Sequence, residues 1–362
     1  MVKVALVHDW LTGMRGGEKV LEAFCELFPE AEIFTLFHFK GTVSPLIESH
    51  KIHTSFLQGL AHKKWYRYFL PLMPAAVESL NVKAFDLVIS LNHCVAKGVK
   101  IAPGAYHICC CLSPMRYIWD RQDDYFGAQA SGFPLSLITA YLRQWDKSSA
   151  SRVGHFIAIS QFISKRIEKC YNRASEVIYP FIEKDCFHQA EKIGDYYLVV
   201  SAFAPYKRVD IAIEACNGLQ LPLKIIGSGP DEGQLKKIAG PTVEFLGWQP
   251  DTVVREYLSA CKALLFCGVE DFGIVPLEAM ACGRPVIAFR EGGLTETVVE
   301  GVTGEFFTPQ TAGALVDVLL RFEREGHKWD SAAIQRHAAG FDKSIFMRNV
   351  KDFLNRTIGH YA

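Results

Sequence analysis

YYLVVSAFAPYKRVDIAIEACNGLQLPLKIIG, residues 196–227, reads as one strand–helix–strand unit. The apolar run YYLVVSA is short and rich in valine and tyrosine, which favours a strand. VDIAIEACNGL then places apolar residues at helical spacing, and LPLKIIG supplies a second strand. Strands joined through a helix run parallel, because the crossover carries the chain back to the starting end of the sheet. Outward from this unit, VEFLG (243–247), KALLFC (262–267), PVIAF (285–289) and GEFFT (304–308) repeat the strand pattern. Helix-like segments such as TVVREYLSAC (252–261) separate them at intervals of about twenty residues, as in a doubly wound sheet. Toward the N-terminus, VKVALVHD (2–9), AEIFTLF (31–37), FDLVISL (85–91), AYHICCCL (105–112) and HFIAIS (155–160) predict a second sheet of the same kind.

The fold class expected is therefore α/β, with two Rossmann-like domains. Pro180 interrupts VIYPFIEKDCF (177–187), where an apolar run gives way to polar residues, and the boundary is placed there. The expected domains are 1–181 and 182–340. Residues 341–362 carry Phe341, Ile345, Phe346, Val350, Phe353 and Leu354 at helical spacing, either as a terminal helix or as a strap returning to the first domain.

The 362 residues are 49% hydrophobic and 22% charged, which suits two globular domains and excludes a disordered or collagen-like chain. Lys and Arg number 39, as do Asp and Glu, so no net basic excess marks a nucleic-acid binder. The balance hides a division. Residues 1–180 hold twenty basic against fifteen acidic residues, and the remainder nineteen against twenty-four. Eleven cysteines without a C-x-x-C pair fit a reducing compartment better than a disulfide framework or a zinc site. Cys109, Cys110 and Cys111 read as small apolar residues of a buried strand. The opening MVKVALVHDW turns polar too soon for a signal peptide, and no apolar run reaches the length of a membrane span, so a cytoplasmic location is expected.

The chemistry concentrates in VEDFGIVPLEAMACGRPVIAFREGGLTETVVEGVTG, residues 269–304. Phe272, Gly273 and Ile274 stand where a strand gives way to a helix, which would aim Val275 and its neighbours' backbone N–H groups at a phosphate or at sugar hydroxyls. Gly273 permits close approach of a ligand. Glu278, one turn further on, can accept hydrogen bonds from a vicinal diol, and Glu270 precedes the turn. Both glutamates are equally compatible with an exposed helix start. In the first half, TGMRGGEKV (12–20) enters a helix through Gly16 and Gly17 but lacks the full G-x-G-x-x-G fingerprint. Its glycines serve either a phosphate or a tight turn of positive φ.

These residues resemble the donor-site signature of glycosyltransferase family 4, retaining enzymes of the GT-B fold. The G-G-x-x-E-x-V-x-x-G-x-x-G pattern of residues 292–304 continues it. HDWLTGMRGGEKVLE (8–22), SPMRYIWD (113–120), AISQFISKRI (158–167), VIYPFIE (177–183), SAFAPYKRVDIAIEA (201–215), IGSGPDEGQL (226–235) and VEFLGW (243–248) are similar to the branch of bacterial O-antigen and exopolysaccharide mannosyltransferases. The resemblance implies two Rossmann-like domains facing across a cleft, and a donor, GDP-mannose in that branch, held on the second. It implies that Lys207 and Arg208 stabilise the leaving diphosphate. Glu278 would take the ribose hydroxyls, and Glu270 with the backbone near Gly273 and Ile274 the sugar. Gly227 and Gly229 would lie near the base. No metal is expected: no D-x-D motif is present, and the two cations would do a metal's work. It further implies retention through a front-face displacement, with the donor phosphate taking the acceptor's proton.

Two positions depart from the family pattern. Ala202 replaces an Arg five residues before Lys207, and Leu112 replaces a histidine associated with the donor sugar. On the acceptor side stand His8 and Asp9, at the end of the first strand, with Arg116 and Tyr117; His8 fits a structural role equally well. HKKWYRYFLPLMP (62–74) interleaves Lys63, Lys64 and Arg67 with aromatic residues, which suits either an anionic membrane surface presenting a lipid-linked acceptor or a partly buried helix. The competing readings are a nucleotide-sugar-binding scaffold without turnover and a UDP-sugar transferase or epimerase of the same fold.

Overall fold

The structure, a computed structural model, describes residues 2–60, 65–119, 135–326 and 329–359. The chain divides into two compact units, residues 1–179 with 346–362, and residues 180–345.

Unit 1 is built on a parallel sheet of seven strands: β1 (Val4–His8), β2 (Glu32–Thr35), β3 (Ile52–Thr54), β4 (Leu87–Asn92), β5 (Tyr106–Cys111), β6 (His155–Ala158) and β7 (Glu176–Val177). They lie in the order β3-β2-β1-β4-β5-β6-β7. Every residue of β1 and β4 is buried, which explains their nearly unbroken apolar composition: helices cover a parallel sheet on both faces. Cys109, Cys110 and Cys111 lie within β5, buried and with free thiols. The sequence reading finds β1, β2, β4, β5 and β6. It misses β3 and β7, outer strands of three and two residues that are too short to show a period.

Charge is also buried in this unit. Lys97 and Asp146 form a fully buried ion pair, and Asp146 also accepts hydrogen bonds from Trp119 Nε1 (2.7 Å) and the Tyr171 hydroxyl (2.9 Å). A buried pair holds only when its remaining lone pairs are satisfied. The helix Lys343–Ile358 buries Phe346, Val350, Phe353 and Leu354. Phe346 meets Phe24 edge-on at 6.1 Å, and Arg356 pairs with Glu176 at 2.5 Å, so the end of this helix belongs to unit 1.

Of the basic aromatic segment, Lys63 and Lys64 lie outside the described residues. Tyr66–Leu72 forms a 3-10 helix followed by the helix Met73–Glu78. Tyr66 and Met73 are core residues, whereas Trp65 is 65% exposed, Tyr68 84% and Leu72 51%. Phe56 and Leu60 are exposed just upstream.

Unit 2 carries six parallel strands: β8 (Tyr197–Val200), β9 (Leu223–Ile226), β10 (Val243–Gly247), β11 (Leu264–Phe266), β12 (Val286–Phe289) and β13 (Gly304–Phe307). Their order is β10-β9-β8-β11-β12-β13. Each coincides with a strand read from the sequence. The helix Val209–Leu219 packs Val209, Ile211, Ala212, Ile213, Ala215 and Cys216 inward and stops at Gln220, whose φ of 53° is left-handed.

In both sheets the strand order reverses at one place, beside β1 and β4 in unit 1 and beside β8 and β11 in unit 2. Open α/β sheets bind ligands beyond the strand ends at such a switch point, because the loops there diverge.

Candidate active site

At the switch point of unit 2, the loop after β8 turns through the 3-10 segment Pro205–Lys207. Lys207 reaches across to Glu270, in the loop after β11, and the two form an ion pair. Their side chains are 13% and 21% exposed, so the pair is partly shielded yet open to a ligand. Lys207 also lies over the rings of Tyr206 (5.3 Å) and Phe266 (5.7 Å), which favour a cation there. The two loops approach so closely that a Cβ at Gly268 would stand 2.8 Å from Lys207 Cα. Arg208 is directed elsewhere: its guanidinium binds Asp210 at 2.9–3.2 Å, and this partner raises its already high pKa.

Phe272 is buried, and Gly273, at φ 98°, begins the helix Ile274–Ala281. Helix geometry leaves the first N–H groups without intrahelical acceptors, and Pro276 has none to offer. The donors at this end are therefore Gly273, Ile274 and Val275. Glu278 lies a turn further along the same helix, half-buried. Glu270 is joined to the neighbouring glycines by the Gly293 N–H to its carbonyl (2.8 Å) and a β-bridge to Gly292. The cation, the two acids and the free N–H groups thus gather along the loops after β8 and β11.

Gly227 and Gly229 do a packing job. Gly227 has φ 143°, and a Cβ there would stand 1.8 Å from the Ser201 carbonyl oxygen; one at Gly229 would stand 2.4 Å from that of Phe203. The loops after β8 and β9 cross at these glycines. Ala202 is exposed.

At the switch point of unit 1, Gly16 and Gly17 open the helix Gly16–Leu27. Neither has a positive φ, so the tight-turn reading of these glycines is corrected: they are ordinary first-turn residues. A Cβ at Gly17 would meet Leu112 at 2.9 Å and His8 Nε2 at 3.5 Å, which places all three side by side. His8 is buried, its Nδ1 bound to the Trp10 carbonyl at 3.0 Å. Burial lowers its pKa.

Asp9 is fully buried, and its carboxylate accepts four backbone N–H bonds, from His93 (2.7 Å), Cys94 (2.9 Å), Val95 (2.6 Å) and Ala96 (2.7 Å). Burial opposes ionisation, but His93 and these donors prevail and hold the carboxyl well below the usual carboxylate range. Asp9 also receives His93 Nδ1 at 3.0 Å. The sequence reading names His8 and Asp9 but misses His93, which follows β4 and becomes their neighbour only through the β1–β4 pairing. Arg116 begins the short helix Arg116–Trp119 and points Nε at Ser113 Oγ (3.4 Å), while Tyr117 packs on the core of the unit. No group of three or more His, Cys, Asp or Glu suited to a metal occurs among the described residues.

Residues 183–337 match the family model described as Glycosyl transferases group 1, a span that contains Lys207, Arg208, Glu270, Gly273 and Glu278. An uncharacterized glycosyltransferase of Methanocaldococcus jannaschii is 31% identical over 169 residues, covering 45% of this chain and 47% of the relative. O-antigen chain mannosyltransferase C of Escherichia coli is 28% identical over 183 residues, 46% of this chain and 48% of the relative. The chain spans about half the length of these curated relatives. Anabaena HepE, solved in complex with UDP, superposes with a TM-score of 0.72 at 17% identity, over 98% of this chain and 100% of that one. This last likeness concerns the fold. The chain therefore has a two-domain GT-B fold, and its residues 183–337 match Glycosyl transferases group 1.

Proposed function

We propose that this chain is a retaining glycosyltransferase that moves mannose from GDP-mannose onto a lipid-linked oligosaccharide or polysaccharide precursor. The observation that carries the reading is the Lys207–Glu270 pair at the unit 2 switch point, beside the helix start at Gly273 and inside the matched region. A diphosphate approaching Lys207 competes with Glu270 for the ammonium. Lys207 then offsets the charge that grows on the leaving phosphate, and Glu270, released, accepts hydrogen bonds from the sugar. The N–H groups of Gly273, Ile274 and Val275 extend the cradle. Glu278 takes the ribose diol. In this reading no metal is required, because Lys207 supplies the charge.

Mannose as the transferred sugar is supported by the likeness to the Escherichia coli mannosyltransferase. A UDP-sugar donor is the second reading, favoured by the fold's likeness to HepE, which was solved with UDP. The acceptor is assigned to unit 1. Its basic excess and the exposed Phe56, Leu60, Trp65, Tyr68 and Leu72 around Arg67 suit an anionic membrane surface, where a lipid-linked sugar is presented. No helix among the described residues is long and apolar enough to cross a membrane. Thermal unfolding with GDP-mannose, UDP-glucose and UDP-N-acetylglucosamine tests the donor. GDP-mannose should raise Tm most, and a larger shift with a UDP-sugar would transfer the assignment to the second reading.

A further inference from the structure

The buried charge of unit 1 has a use that stability alone does not explain. Lys97 and Asp146 are both fully buried, and taking two charges out of water costs about as much as their attraction returns. Apolar side chains of the same volume would hold the core equally well. What the pair adds is direction. Asp146, on the helix Leu135–Ala150, draws three separate segments to one carboxylate: Lys97 from the loop after β4, Trp119 from the helix Arg116–Trp119 after β5, and Tyr171 from the end of the helix Gln161–Tyr171 after β6. The Lys97 ammonium is itself fixed, over the rings of Tyr171 at 4.9 Å and Trp145 at 5.5 Å. Its backbone N–H donates to Asn92 Oδ1 at 3.0 Å, and the four residues before it donate to Asp9. The carboxylate of Asp146 therefore stands on a rigid base.

Of the three segments, the helix Arg116–Trp119 depends on that carboxylate most. Its four residues make a single turn, too short to hold its shape in water unaided. The helix Leu135–Ala150 grips it at two places nearly a turn apart: Arg143 donates to the Ile118 carbonyl, and Asp146 accepts from Trp119 Nε1 at 2.7 Å. The Arg143 guanidinium also lies 5.9 Å over the Trp119 ring. At the other end of the turn, half-buried Arg116 directs Nε to Ser113 Oγ at 3.4 Å, a hydroxyl that also receives Arg166 at 2.8 Å. Where Asp146 holds Trp119, Arg116 follows.

We propose that Asp146, acting through Trp119, positions Arg116 to bind the acceptor. Asp146 and Trp119 touch no substrate in this account; they set the place from which the Arg116 guanidinium donates to acceptor oxygens. The inference rests on the reading above that unit 1 takes the acceptor, and it concerns unit 1 alone.

The test measures transfer from the nucleotide sugar that the wild-type chain uses, as a function of the concentration of a lipid-linked acceptor extract, in Trp119→Phe, Tyr171→Phe, Arg116→Ala and the double variant Arg116→Ala with Trp119→Phe. Tm is recorded for each with and without the nucleotide sugar. Trp119→Phe and Tyr171→Phe each remove one hydrogen bond to the same Asp146 oxygen and keep a ring in place, so a carboxylate with a merely structural role would treat them alike. Expected is an acceptor KM raised about three- to tenfold in Trp119→Phe with kcat within about twofold, and an unchanged KM in Tyr171→Phe. The Tm shift given by the nucleotide sugar should be unchanged in both. Adding Trp119→Phe to Arg116→Ala should raise KM no further, because the two act through one guanidinium. Equal KM changes in the two phenylalanine variants, no change in either, or a full additional rise in the Arg116→Ala background would overturn the proposal while leaving the transferase reading standing. A wild-type chain that transfers no sugar from any nucleotide sugar would overturn both.

Discussion

Replacing Lys207 with Ala and Glu270 with Gln should move nucleoside diphosphate binding in opposite directions. In the free chain each side chain is the other's partner, at 13% and 21% exposure. A diphosphate that binds Lys207 must break this pair or share it. Lys207→Ala removes a charge-assisted hydrogen bond to phosphate, about 1.5–3 kcal/mol, or a roughly 10- to 150-fold weaker Kd for GDP. Glu270→Gln removes the competitor. A partly exposed ion pair contributes about 0.5–1 kcal/mol, so GDP should bind about two- to fivefold tighter. The same variant should turn over more slowly, since the sugar loses a charged acceptor. Isothermal titration with GDP reads both changes directly. If Glu270→Gln weakened GDP as much as Lys207→Ala does, Glu270 would be a ligand of the nucleotide and not a competitor for Lys207, and the reasoning would fail.

Burial, reinforced by Arg152 and Lys97, pushes the His107 imidazole down to about 3. Its folded value lies below the unfolded one of about 6.5, so its contribution is complete above that pH and is lost as the pH falls toward 3; His107→Gln should flatten the acid side of the stability profile by about 1.4 kcal/mol per pH unit in that window, read by urea unfolding. Gly227→Ala should destabilise unit 2 by more than about 2 kcal/mol, because its Cβ would stand 1.8 Å from the Ser201 oxygen, whereas Gly218→Ala, with nothing within 4 Å, should be neutral or stabilising; equal effects in calorimetry would contradict the crossing-loop account. For the proposed membrane contact, Arg67→Glu should weaken binding to phosphatidylglycerol-containing vesicles about tenfold in a sedimentation assay, and Trp65→Ala with Tyr68→Ala should weaken it further; unchanged partition would remove the membrane from the proposal.

The sheets were legible in the sequence because a parallel strand buried on both faces must be apolar along its length, as in VALVH of β1 and LVISLN of β4. Strands at the sheet edges were not, since Glu176–Val177 is too short to carry any pattern. The residues proposed for the unit 2 site are close in sequence for a related reason: Glu270, Gly273 and Glu278 lie within one local stretch, and reading them together needs no long-range contact. What the sequence withheld was partnership. Arg208 reads as a second phosphate cation until Asp210, two residues on, is seen to hold it. Asp9 gives no hint in the sequence that its carboxylate accepts N–H groups more than eighty positions away. His93 gives no signal alone and becomes conspicuous only when β4 is laid beside β1.

The measurement that tests the central claim most directly is the NMR analysis of the product formed from GDP-mannose and a lipid-linked acceptor extract. The account predicts a mannosylated product with the donor's α configuration retained, formed by the wild-type chain and not by Lys207→Ala. A product of inverted configuration, or transfer undiminished in Lys207→Ala, would contradict it.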